Sequence, residues 1–163
     1  MERIWAPWRS KYITGQDEPE HGCVLCHYAG AEKKRHAELG VLTVEEHAFV
    51  VQNKYPYTGG HLLISPVRHV SSPLGLNTEE YTALMDLLRR SIECVEQAFT
   101  PDGVNVGMNL RQAAGAGIDK HCHFHIVPRW SGDTNFMSVL ADIRVVSQSL
   151  KETYEQLAPL FKK

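Results

Sequence analysis

The sequence carries no strong charge of either sign: 17 Lys and Arg face 19 Asp and Glu, a net charge of −2. That balance, with no basic stripe, removes the electrostatic footprint of a generic nucleic-acid binder. No run of about 18 apolar residues occurs, so no membrane-spanning helix is expected. The opening MERIWAPWRSKY lacks the apolar stretch of a signal peptide. These absences predict a soluble, cytoplasmic protein with neither a membrane nor a nucleic-acid partner. Internal repeats and low-complexity tracts are also missing. Cysteine is scarce, with four residues at Cys23, Cys26, Cys94 and Cys122; in a reducing compartment the short Cys23-x-x-Cys26 pair reads as a metal or redox site rather than a staple.

What remains is a chain of 163 residues, 43% apolar, long enough for one core. A single domain over 1–163 is expected, with an N-terminal arm over about residues 1–22 anchored by Trp5, Pro7 and Trp8. AGAEKKRHAE suits a short exposed helix after the cysteine pair. VLTVEE, HAFVVQN and HLLISPV are short β-branched and aromatic runs parted by turn signals, which predicts an antiparallel meander. Asn77 with Glu80 forms a capping box, and Leu84, Leu88, Ile92, Val95 and Phe99 recur at helical steps, predicting a helix over 78–99. GVNVGMNL and HCHFHIVPRW read as two more strands and SQSLKETYEQLAPLF as a closing helix. The fold class is therefore α+β, a mainly antiparallel sheet with one long helix and a C-terminal helix.

Histidine is abundant, nine in all, and three stand two apart in His121-Cys122-His123-Phe124-His125. In a strand this spacing sends all three imidazoles to one face while Phe124 and Ile126 go to the other. Aligned imidazoles repel once protonated, so a functional site is favoured over a solvated face. Two chemistries fit: three ligands for one metal, or an unprotonated imidazole nucleophile with polar helpers.

Upstream, Asn109 to Gly117 is a small-residue loop whose backbone N–H groups suit an anion, Asn109 adding a side-chain donor. It is not a Walker sequence, because no Gly-Lys-Ser/Thr follows. Loops between strands are also glycine-rich for turn geometry alone. Cys23 and Cys26 can grip one zinc ion, but closure requires two further ligands. A redox role fits less well, since it calls for a parallel sheet. His47, His61 and His69 taken singly are ordinary polar histidines.

The stretch Gly60-His61-Leu62 through Pro66, with Asn109 through Val127, resembles the histidine triad superfamily of nucleotide hydrolases and transferases. Trp5-Ala6-Pro7-Trp8-Arg9 and Val127 through Phe136 are similar to its prokaryotic branch, related to the fragile histidine triad and diadenosine tetraphosphate phosphorylase enzymes. The resemblance spans nearly the whole chain.

It implies an α+β fold whose sheet continues across a homodimer and a nucleotide bound against the triad. By position, His123 would be the nucleophile on the α-phosphorus and His125 would hydrogen-bond the phosphoryl oxygens. Asn109 would contact the α-phosphate, with backbone groups of Gly115, Ala116 and Gly117 supporting it; Asn53 matches the ribose position, and His61 would orient the triad. A covalent nucleotidyl-histidine divides one hard displacement into two in-line steps. Magnesium would come only with the polyphosphate. Zinc-carrying members combine a Cys-x-x-Cys pair with two histidines, which here implies a structural zinc site of Cys23, Cys26, His69 and His121.

The third triad position is His125, not the glutamine of the uridylyltransferases, which counts against sugar-nucleotide exchange. The phosphorylase pattern carries a serine near Gly117, where this chain has Ala116-Gly117-Ile118. The expected activity is thus hydrolysis of dinucleoside polyphosphates or related nucleoside phosphate conjugates. The rivals are phosphorolysis by orthophosphate and a zinc-stabilised nucleotide-binding module with little turnover.

Overall fold

The computed structural model describes residues 22–133 and 148–162. The expected N-terminal arm with Trp5 and Trp8, and the Thr134-Asn135-Phe136 end of the motif after the triad, lie outside the described residues.

Five strands form one antiparallel sheet in the order β1-β2-β3-β5-β4. They are β1 (Val41–Val44), β2 (Ala48–Gln52), β3 (Leu62–Pro66), β4 (Gly103–Met108) and β5 (Phe124–Arg129). The first three are the expected meander. Strand β5 then inserts between β3 and β4, so His125 lies in the interior of the sheet rather than at its edge.

Among the described residues four α-helices accompany the sheet: α1 (Val24–Ala29), α2 (His36–Leu39), α3 (Thr78–Phe99) and α4 (Leu150–Leu157). The expected short helix after the cysteines divides into a 3-10 turn, Lys33–Arg35, and α2, which Gly40 ends at φ 72, a left-handed conformation that glycine adopts at little cost. Helix α3 has the predicted bounds and its capping box is formed on both sides. A second capping box, Ser149 with Glu152, opens α4; the Ser-x-x-Glu spacing was available in the sequence and was missed.

The alternation of each strand sorts the core into two layers. Ala48, Val50, Leu62, Ile64 and Ile126 meet Leu84, Leu87, Leu88 and Val95 of α3 and Leu157 of α4. Val41, Phe49, Val51 and Leu63 face the other way, onto Leu25 of α1. His125 pairs in register with Leu63 and so shares the second layer, the side that also holds the cysteine-bearing helix.

One strand expectation needs revision. The HCHFHIVPRW run is a strand only from Phe124, and His121, Cys122 and His123 lie before it outside any ladder, with a bend at His121. β3 ends at Pro66, whose carbonyl accepts from the His121 ring at 2.8 Å. The Cys122 N–H donates instead to Val70 O at 2.7 Å, and Ser65 Oγ donates to Cys122 O at 2.9 Å. Side chains and a loop carbonyl replace the missing ladder, and the Pro66 carbonyl holds the His121 ring on the side of α1.

Candidate active site and metal centre

Two clusters of histidine grow from the triad segment. The first forms where α1 meets the end of β3. Cys23 caps α1 and Cys26 lies in its first turn; His69 follows β3, and His121 arrives from the triad. Their four ligand atoms all lie within 4.8 Å of one another. Cys23 Sγ is 3.4 Å and Cys26 Sγ 3.5 Å from His121 Nδ1, and Cys26 Sγ is 3.2 Å from His69 Nδ1. Donors on a tetrahedral zinc ion sit about 3.5 Å apart, so the residues fit such an ion. The tautomer fits as well. A carbonyl only accepts, so the His121 Nε2 that touches Pro66 O carries the proton and Nδ1 turns its lone pair to the thiols. Burial holds His121 below the usual imidazole pKa, and burial also raises the Cys26 thiol.

The second cluster contains His123, His125, His61 and Asn53. His123 is buried, and its Nδ1 donates to the carbonyl of His121 at 2.9 Å. Its Nε2 therefore keeps a free lone pair. The His123 and His125 rings meet edge to face with centroids 5.0 Å apart. His61, 1% exposed at the start of β3, accepts from the Tyr57 N–H on Nδ1 at 3.1 Å, which leaves the proton on Nε2. That Nε2 lies 2.9 Å from His125 Nδ1 and donates to it. The proton of neutral His125 is consequently on Nε2.

Electrostatics agrees with this arrangement. Burial lowers the pKa of His123, and burial together with the neighbouring His123 lowers that of His125 to about 4. Both rings stay uncharged at neutral pH. One presents a lone pair and the other an N–H, the pair a phosphoryl group undergoing attack requires.

Asn53 Nδ2 faces the His61 ring at 3.3 Å from Nδ1, and Asn53 Oδ1 accepts from the Tyr55 N–H. Asn109 lies one residue past the Met108–Phe124 pair, so the antiparallel register carries it to the level of His123. Gly107 pairs with His125, and a Cβ on it would meet nothing within 4 Å among the described residues. The triad face is open there. In the loop, the Gly115 N–H donates to Gln112 O at 2.8 Å and that of Ala116 to Arg111 O at 3.3 Å. Of the expected backbone donors only Gly117 remains uncommitted among the described residues, because the loop closes on itself through the other two.

Two supporting contacts were not expected. The Tyr57 ring lies 4.6 Å from that of His61 and stacks at 13° to that of His125. Arg68, beside His69, makes a two-pronged ion pair with Glu80 at 2.6 and 2.8 Å, and that pairing first, with the Asn77 N–H second, holds the Glu80 carboxyl down to about 2. The capping box was legible in the sequence, but its tie to a ligand-bearing loop was not.

Residues 34–132 match the HIT domain. The chain belongs to the HIT domain family. Over 162 residues it is 32% identical to the AP-4-A phosphorylase of Mycobacterium tuberculosis (strain ATCC 25618 / H37Rv), covering 97% of this chain and 83% of that protein. It is 33% identical over 102 residues to the bis(5'-adenosyl)-triphosphatase of Dictyostelium discoideum, covering 63% of this chain and 66% of that protein. A Zn-bound histidine triad family protein from Mycobacterium smegmatis shares the fold with a TM-score of 0.67 at 22% identity, over 86% of this chain and 94% of that one. The α+β architecture is thus that of HIT-family proteins. No helix among the described residues is long and apolar enough to cross a membrane.

Proposed function

We propose that this HIT-family chain cleaves dinucleoside polyphosphates, or related nucleoside phosphate conjugates, through a nucleotidyl group carried on His123. The observation that carries the reading is the hydrogen-bond chain from Tyr57 N–H through His61 to His125 beside His123, because it assigns a free lone pair to one ring and an N–H to the next.

In the first step His123 Nε2 attacks the α-phosphorus in line while the bond to the bridging oxygen breaks and the remaining nucleotide departs. The His125 Nε2–H hydrogen-bonds the phosphoryl oxygens as charge gathers on them. Asn109 and the Gly117 N–H stand on the same side, and Asn53 serves the ribose while its amide also steadies His61. Gly115 and Ala116 shape the loop. In the second step an acceptor attacks phosphorus from the opposite face and the His123 Nε2–P bond breaks, restoring the imidazole.

Water is the acceptor favoured by the loop sequence Ala116-Gly117-Ile118. The M. tuberculosis relative, matched along 97% of this chain, supports orthophosphate as a second reading. Products from diadenosine tetraphosphate separate the two: AMP with ATP marks hydrolysis, ADP with ATP marks phosphorolysis, and no cleavage with or without phosphate sinks both. Cleavage of either kind removes the third rival, binding without turnover.

Zinc is the ion proposed for Cys23, Cys26, His69 and His121. When bound it would tie α1 to the triad segment as a structural Lewis acid, with no part in the displacement. The homodimer is likewise proposed. Among the described residues strand β4 is a sheet edge with Val106 exposed, which leaves a row of backbone groups for a second copy to pair. Cys23, Cys26, Cys94 and Cys122 form no disulfide among the described residues, which suits a reducing, cytoplasmic setting.

A further inference from the structure

Among the described residues two that are not glycine have positive φ, Thr100 and Arg111. Thr100 ends helix α3 in the left-handed region, φ 44 and ψ 54, a common way to close a helix. Arg111 is different. Its φ of 70 with ψ of 165 lies in a region that glycine alone occupies readily, and a side chain held there persists where something offsets the strain.

The chain itself offers the Arg111 side chain no such return. The residue is exposed, and it has no hydrogen bond or ion pair from its guanidinium among the described residues. What the loop uses is its carbonyl, which accepts from Ala114 N at 3.2 Å and Ala116 N at 3.3 Å. Glycine would supply that carbonyl without strain.

The position of Arg111 narrows what the guanidinium serves. It stands two residues beyond Asn109, at the mouth of the loop that leads from β4 to His121 and His123. With Gly115 and Ala116 amides spent inside the loop, an arginine restores attraction for negative charge, and its planar fork matches phosphate oxygens in pairs.

We infer that Arg111 binds the phosphates beyond the α-phosphate, on the leaving side of the scissile bond, and so makes the site prefer nucleotides carrying a polyphosphate chain. This rests on the nucleotide reading above and goes beyond it by naming the residue that selects chain length.

The test is calorimetric binding of AMP and of α,β-methylene ATP, whose carbon bridge blocks cleavage at the α-phosphorus, to the full metal-loaded chain and to R111G. R111G is expected to lose about ten-fold in affinity for the triphosphate analogue, a loss worth about 1.4 kcal/mol, while AMP binding changes less than about two-fold. Its Tm is expected to equal or exceed that of the parent, since the backbone strain is relieved. R111K, which keeps a cation, is expected to retain more of the preference than R111G. An unchanged triphosphate-to-AMP ratio in R111G overturns the assignment to Arg111, and so does an equal loss for both ligands, which marks loop shape instead. A parent chain that binds neither nucleotide removes the underlying reading and this proposal together.

Discussion

The two histidine clusters are built from neighbouring residues of one extended segment, yet they do opposite things with the same ring. His121 donates through Nε2 to Pro66 O and turns Nδ1 to two thiols; His123 donates through Nδ1 to His121 O and leaves Nε2 open. The side chain is the same in both, and the carbonyl that takes the proton decides the role. The candidate metal cluster is tied to surface elements, α1 and the loop after β3, with His69 exposed. The cluster of His61, His123 and His125 lies at the ends of β3 and β5, with His61 1% and His123 4% exposed. One is suited to fixing the chain, the other to holding uncharged imidazoles against a reacting group.

The sharpest way to break this comparison is His123→Ala. Cleavage of diadenosine tetraphosphate is expected to fall by about 10⁴-fold or more, with AMP affinity and the circular dichroism spectrum preserved; chromatography of products checks it. Unchanged turnover would transfer the nucleophile elsewhere and dissolve the contrast. Replacing His61 by Ala removes the donor to His125 Nδ1 without touching the metal cluster. A loss of about 100-fold in kcat is expected from misorientation, with bound zinc still stoichiometric by elemental analysis.

Cys26→Ser attacks the other cluster. It should abolish stoichiometric metal and lower stability by about 3 kcal/mol, near 10 °C in Tm. If Tm holds while metal is lost, the centre does not fix the chain.

A pH profile sharpens the electrostatic half. His125 titrates near 4 in the folded chain against about 6.5 when unfolded. The folded state therefore resists the proton that the unfolded state accepts. Stability is expected to be full above about pH 6.5 and to fall as pH drops toward 4, with kcat/KM flat between about 7.5 and 5.5 and declining below. A profile breaking near 6.5 would mean that burial does not hold the ring neutral. The smallest effect belongs to Asn77→Ala, which opens the capping box beside Glu80 and Arg68. About 1 kcal/mol of stability should be lost with kcat unchanged, because that box supports the metal-side loop and not the imidazole pair.

Much of this molecule is legible from residue order. The meander follows from alternation in β1 to β3, and α3 from the Asn77–Glu80 box with its apolar spacing, since local propensity and periodicity agree along those segments. The triad shows the boundary of that method. Period-two spacing predicts three imidazoles on one face, but Pro66 ends β3, the segment before Phe124 takes Val70 O in place of a ladder, and Pro66 O holds the His121 ring among the thiols. The redirection depends on a carbonyl distant in sequence, and no pattern within the segment encodes it.

The same division holds across the site. Residue types and their spacing were enough to nominate His123, His125, Asn109 and the Cys-x-x-Cys pair, because each chemistry demands particular atoms, whereas His61 was nominated only by the resemblance to the histidine triad superfamily. Which ring nitrogen carries a proton, which loop amides are already spent, and that Arg111 sits where glycine belongs were decided by tertiary structure alone, because a hydrogen atom's place and a backbone dihedral are set by partners that only folding brings within reach.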